Sequence, residues 1–308
     1  MSENNPIILG SRGSPLALVQ ARLVAAALEA AHGWAEGAVR IVPVRTSGDR
    51  IQDRPLAEVG GKALWTKELD QALIDGITHA SVHSAKDVES ERPAALCIAG
   101  CLERADVRDR LIGSASIEAL PSGARVGTSS PRRAAQLLRL RPDLQVESIR
   151  GNVATRLTKV AAGEFDATLL AAAGLDRLGI AEGHAVAVAT ILPAPTQGII
   201  AIECRAEDAA TRALLAAIDH RATRRALQAE RVFTRAVGGS CHSPIAALAI
   251  EEGDGSLWLR AELLSSDGAE RVAGEVRYVG DGEEAPRALA AELLGRAPAA
   301  VRGLFGGA

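Results

Sequence analysis

The chain has 308 residues, 47% hydrophobic and 2% aromatic, and a formal net charge of −3. It is long enough for two or three lobes with their own cores, and its near-neutral charge and scarcity of rings argue against nucleic-acid binding by bulk charge or base stacking. Met1 to Pro6 lack the regions of a signal peptide and no stretch approaches the roughly 18 uninterrupted apolar residues of a membrane span, so a cytoplasmic protein without membrane partners is expected.

Residues 7–33, "IILGSRGSPLALVQARLVAAALEAAHG", predict a strand, a loop and a helix, with Ser14 as N-cap, Pro15 at the first helical position and Gly33 past the end. Strand-like "VRIVPV", helix-like "LWTKELDQALIDG" and the extended run "HASVHSAKDVES" follow. A second unit of the first kind is "ARVGTSSPRRAAQLLRL", where a strand ends at Gly127, Ser130 caps and Pro131 opens a helix. Both units carry a Gly, a hydroxyl residue and then Ser-Pro, which suggests two lobes on one α/β plan. "LQVESIRGNVATRLTKVAAGEFDATLLAAAG" alternates strand, helix and strand, which implies a largely parallel sheet in each lobe, and "ILPAPTQG" breaks regular structure as a crossing segment. From about Arg221 a helix, a cysteine loop, three strands joined by "GDG" and "SDG" turns and a last helix read as a small α+β domain.

Arg132 and Arg133 fall in the first helical turn, where the macrodipole disfavours cations by about 0.3–1 kcal/mol each. Either they form a carboxylate or phosphate site with Ser129, Ser130 and the free backbone N–H groups, or they pair with Asp or Glu on a solvated face. Arg150 and Arg156 flank a second cap, Asn152, and Arg12 with Ser14 occupies the matching loop of the first unit. Strand ends of open α/β sheets are where ligands bind, so these arginines suit a substrate with several carboxylates. Asp87, with Lys86 beside it, follows a strand end, where it could stabilise a developing cation or shuttle a proton, or simply cap a turn.

Four cysteines in such a chain read as reduced thiols. Cys204 in "GIIAIEC" reads as a buried small hydrophobe, and Cys97 and Cys101, four apart with no second Cys or His pair, give no zinc pattern, so no metal is expected. Cys241 alone sits on a glycine-rich loop. The adjacent His242 is not read as its catalytic partner, because neighbours in extended chain point to different sides. The two-lobe reading alone also fits a noncatalytic anion-binding module, which has no use for Cys241.

In this order and over nearly the whole chain, "SRGSPLAL", "VHSAKDV", "GTSSPRRAAQL", "IRGNVATRL", "AAAGLDRLG" and "GGSCHSPIA" resemble the porphobilinogen deaminases, also called hydroxymethylbilane synthases, of tetrapyrrole biosynthesis. The resemblance implies an α/β fold of two periplasmic-binding-protein-like lobes plus a small α+β C-terminal domain. Lobe 1 is then residues 1–101 with 199–219, lobe 2 is 102–198, and 220–308 carry the cofactor cysteine. It also implies a dipyrromethane cofactor held by a thioether to Cys241. Four porphobilinogen molecules are condensed onto it with loss of ammonia, and linear hydroxymethylbilane is released by hydrolysis. Asp87 matches the catalytic aspartate. Arg12, Arg132, Arg133, Arg150, Arg156 and Arg177 match residues that bind cofactor or substrate carboxylates. Ser14, Ser84, Lys86, Thr128, Ser129 and Ser130 match further binding positions, and Trp65 stands where phenylalanine is frequent, as an aromatic contact. Ala63 and Thr196 stand where glycine is common, Thr196 in the expected hinge. Nothing in the sequence requires more than a monomer.

Overall fold

The computed structural model describes residues 7–45 and 66–305, so Ala63 and Trp65 lie outside the described residues. In chain order the first elements are β1 (Ile8–Arg12), α1 (Pro15–His32), β2 (Arg40–Val44), α2 (Lys67–Ile74), β3 (Ala80–Ser84), β4 (Leu96–Cys101), β5 (Asp109–Ile112), β6 (Arg125–Gly127), α3 (Pro131–Leu140), β7 (Gln145–Glu147), α4 (Val153–Ala161), β8 (Ala167–Ala171) and α5 (Ala172–Arg177). Then come β9 (His184–Ala185), β10 (Ile200–Arg205), α6 (Ala209–Ala216), α7 (Arg221–Ala236), β11 (Ile245–Glu251), β12 (Leu257–Leu264), β13 (Arg271–Tyr278), α8 (Glu284–Arg296) and α9 (Ala299–Arg302).

The expected helix starts are the observed ones, because their signals are local. Ser14 accepts from Ala17 N, Ser130 from Arg133 N and Asn152 from Thr155 N, and α1 and α3 begin with proline. Gly33 closes α1 in the left-handed region at φ 66°.

The chain divides into two compact units, one from residues 1–105 with 199–224 and one from 106–198 with 225–308. The sheet of the first has the order β2-β1-β3-β10-β4, and the larger sheet of the second has β7-β6-β8-β5-β9. Each is parallel except for one strand, β10 or β5, which runs against both neighbours. The reversed strand in each is the one that the chain enters from the other unit, a detail alternation alone does not reveal. Within the first unit the two ends of its segments are joined, Arg104 N donating to Thr223 Oγ1 (2.9 Å) and His220 N to Cys101 O (2.8 Å).

The third sheet, β11-β12-β13, is antiparallel throughout. One face packs Leu257, Leu259 and Leu263 against Phe233 of α7 and Leu289 and Leu293 of α8; a side chain as deeply buried as Phe233 contributes about 2–3 kcal/mol. Its other face, through Ala246 and Leu248, meets Leu192, Val107 and Val188. Gln136 of α3 also bonds Glu262 of β12, which explains why this sheet belongs to the second unit.

Thr196 is the one non-glycine residue with positive φ (63°) among the described residues. That backbone shape explains why glycine suits the position. Its N–H donates to the buried Glu230 carboxylate, which also accepts from Ala249 N at 2.7 Å.

Candidate active site

In the first unit the carboxyl ends of β1 and β3 open onto a small cavity of about 50 Å³. Arg12 enters it from the last position of β1 and Ser14 from the loop that follows, and Ser84 and Asp87 from the end of β3 and the single 3₁₀ turn Ala85–Asp87. Ala85 N donates to Ile199 O (3.0 Å) and Val88 N to Ala85 O (3.2 Å), so the turn that carries Asp87 is fixed at both ends. Gln20, Thr66 and His83 line the same cavity. Sequence reasoning missed these three. Gln20 Nε2 donates to Ser84 Oγ at 2.9 Å across 64 positions, a pairing no local pattern signals. Lys86 is partly buried beside Asp87.

Behind this cavity lies a buried charge cluster. Arg92 donates to Glu203 (2.6 and 2.9 Å), Glu89 (2.8 Å) and Asp70 (2.5 Å), and His83 Nε2 lies 3.4 Å from Glu203. Burial would raise the Glu203 carboxyl, but His83 and Arg92 hold it down to about 2.

In the second unit the predicted residues gather at the carboxyl ends of β6, β7 and β8. Thr128, Ser129 and Ser130 follow β6, Arg150 follows β7, and Arg177 ends the short α5 after β8. Ser129 Oγ donates to Ile149 O (2.6 Å), tying the first two loops together, and Thr128 Oγ1 accepts from Ser130 N (3.1 Å). Arg156 Nε donates to Gly151 O at 3.0 Å and stays partly exposed, as does Arg150.

Arg132 and Arg133 do not lie on a solvated face. They are 3% and 6% exposed and converge on Asp109, itself 1% exposed. Arg132 Nη2 donates to Asp109 at 2.9 Å, and Arg133 reaches it twice, through Nη2 (2.7 Å) and Nε (3.1 Å). Gln197 donates to the same carboxylate at 2.8 Å. The two guanidiniums thus share one carboxylate at the N-terminus of α3, with Glu262 acting on Arg132 from farther off. Arg177 has only a carbonyl, Gly198 O at 2.7 Å, and no carboxylate pairs with it among the described residues. Burial pulls its guanidinium down to about 10, so it is a largely desolvated cation.

Cys241 is the exposed one of the four cysteines. Helix α7 ends with Gly239 N donating to Thr234 O (2.9 Å) and Gly238 N to Arg235 O (3.0 Å), Gly238 being left-handed at φ 67°. A Cβ on Gly239 would stand 3.1 Å from Ile245 Cδ1, so a side chain is not easily placed there. Ser240 N donates to Ser243 Oγ (3.1 Å), Ser243 N to Ser240 O (3.0 Å) and His242 N to Ser240 Oγ (3.2 Å). The exposed cysteine thus rides on a small turn knotted by the two serines.

Residues 7–213 match the model of the porphobilinogen deaminase dipyromethane cofactor binding domain, and residues 225–295 that of the porphobilinogen deaminase C-terminal domain. The chain belongs to the porphobilinogen deaminase family. It is 58% identical over 308 residues to the porphobilinogen deaminase of Sphingopyxis alaskensis, covering 98% of this chain and 97% of that one. To the Paracoccus denitrificans protein of the same name it is 50% identical over 301 residues, covering 96% of each. Among solved structures it is similar to the periplasmic VFT2 domain of BvgS from Bordetella pertussis at 17% identity and a TM-score of 0.38, covering 70% of this chain and 87% of that one. The protein is therefore a transferase, a hydroxymethylbilane synthase acting on porphobilinogen, with a dipyrromethane cofactor. The residues fit that group: an exposed thiol can carry it, and cationic, N–H-rich strand ends suit its carboxylates.

Proposed function

We propose that Asp87 is the catalytic carboxylate of this synthase, that Cys241 carries the dipyrromethane, and that the strand-end arginines hold the acidic side chains. The observation that supports this best is the shared cavity of Asp87, Arg12, Ser14 and Ser84 at the ends of β1 and β3. When bound, the dipyrromethane would supply the free pyrrole α-carbon that the first porphobilinogen joins, and each later unit would join the terminal pyrrole of the growing chain. As ammonia leaves the substrate's aminomethyl arm, positive charge spreads to the pyrrole nitrogen. Asp87 accepts a hydrogen bond from that N–H and stabilises the charge, an effect worth about 2.7–4 kcal/mol for one such group, and can shuttle the proton taken from the pyrrole N–H to the departing amine.

Arg12 and Ser14 at α1, Ser129, Ser130, Arg132 and Arg133 at α3, and Arg150 and Arg156 around α4 bind acetate and propionate groups. Arg177 and Thr128 complete that surface, Ser84 and Lys86 flank Asp87, and Trp65 supplies an aromatic contact. Lobe 1 spans 1–101 with 199–219, lobe 2 spans 102–198, and the cofactor-bearing domain spans 220–308. The enzyme works as a cytoplasmic monomer that engages neither nucleic acid nor membrane.

The test is Asp87→Asn, which removes the charge and keeps the shape. Ammonia release from porphobilinogen should fall at least about 100-fold with an unchanged unfolding midpoint, and near-normal turnover would take Asp87 out of the mechanism.

A further inference from the structure

Cys97 and Cys204 stand directly opposite one another on the antiparallel strands β4 and β10, as Cα partners. Their sulfurs are 4.0 Å apart. Facing residues of an antiparallel pair have Cα atoms about 4.5–5.5 Å apart, inside the roughly 4.4–6.8 Å that a disulfide spans. Side-chain rotation is therefore enough to bring the sulfurs into bonding distance, with no movement of the strands.

The two thiols differ in access. Cys204 is 0% exposed, and burial together with the Cys97 sulfur pushes its thiol up to about 12. Cys97, on the edge strand, lines an open groove of about 530 Å³ with Ala209, Ala213 and Ala216 of α6 and with Arg212 and Arg224. The small alanines leave the groove wide enough for a small oxidant. Cys101 is no rival: it is fully buried and its Sγ faces Asp219 Oδ1 at 3.4 Å and His220 O at 3.8 Å.

We propose that Cys97 and Cys204 form a reversible oxidation site that closes to a cross-strand disulfide when the protein meets a peroxide. The Cys97 sulfur attacks hydrogen peroxide, breaking its O–O bond, taking one oxygen as sulfenic acid and releasing the other as water. The Cys204 sulfur then attacks Cys97; the S–S bond forms, the S–O bond breaks, and the hydroxide leaves with the Cys204 proton as a second water. Two electrons pass from the sulfurs to the peroxide, and a dithiol returns them. The chain leaves the first unit after β4, at residue 105, and re-enters it before β10, at residue 199. The bond thus staples the outgoing strand to the returning one.

The protein as purified is treated with hydrogen peroxide, its remaining thiols are alkylated, and the tryptic peptides are mapped by mass spectrometry. The expected result is a peptide carrying Cys97 and Cys101 joined to the one carrying Cys204, released by dithiothreitol, lost in Cys97→Ala and kept in Cys101→Ala. Closing a loop across 107 positions should also raise the melting temperature of the oxidised wild type by about 5 °C or more, with no rise for Cys97→Ala. Sulfinic acid on Cys97 with Cys204 still open to alkylation after unfolding, or a link that survives in Cys97→Ala, would overturn the proposal.

Discussion

Arg133 grips Asp109 through two hydrogen bonds, Nη2 at 2.7 Å and Nε at 3.1 Å, while Arg132 holds the same carboxylate at 2.9 Å. Both guanidiniums sit in the first turn of α3 on the buried Asp109, and the buried Glu262 acts on Arg132 as well. The Asp109 carboxylate therefore sets the two arginines in place.

Asp109→Asn should leave two buried cations without their counter-ion, at a cost of about 3–5 kcal/mol. Urea unfolding measures it, and a loss under about 1 kcal/mol would show that the cluster relaxes without Asp109. The same burial makes Arg132→Glu a poor probe of ligand binding, since it would set two carboxylates face to face.

Arg150 is partly exposed and Arg177 lacks a carboxylate partner among the described residues, so their charges can be changed with less damage. Arg150→Glu and Arg177→Gln should unfold within about 1 kcal/mol of the wild type yet be isolated with less of the dipyrromethane adduct, as read by intact mass. Full adduct together with a normal rate would remove either residue from carboxylate binding.

Much of this site was legible because its signals are local. Ser14, Ser130 and Asn152 cap the helices that follow them, and the Gly238-Gly239 pair ends α7 so that Cys241 stands clear. What was hidden depends on partners far along the chain. Asp109 meets Arg133 across 24 positions, Gln20 meets Ser84 across 64, and His83 meets Glu203 only because β10 returns beside β3. Burial of Arg132 and Arg133 also ran against the solvated face that charge alone suggests, because the acid that makes burial tolerable lies on β5.

The Glu203 carboxyl is held at about 2, below its ordinary 4.5, by His83 and Arg92 against the cost of burial. A lowered carboxyl contributes stability that is present above the ordinary value and is lost as pH falls through the folded one. Glu203→Gln should therefore flatten the stability profile between about pH 4.5 and 2, a span worth on the order of 3 kcal/mol. Urea midpoints across that range check it, and parallel profiles for the two proteins would contradict it.

Thr196 holds a left-handed backbone at φ 63°, a conformation that costs a β-branched residue about 1–3 kcal/mol. Thr196→Gly gives part of this back as greater freedom of the unfolded chain, so a net gain of about 1 kcal/mol is expected. A lower unfolding midpoint would mean that the Thr196 side chain contributes more by packing than its backbone costs.

The central claim is that Cys241 carries the primer on which the product is built. Intact mass of the purified protein, followed by peptide mapping around residue 241, tests it most directly. An added mass equal to two porphobilinogen units less two ammonias, located on Cys241, is the predicted result. An unmodified chain that gains no adduct when incubated with porphobilinogen would contradict it.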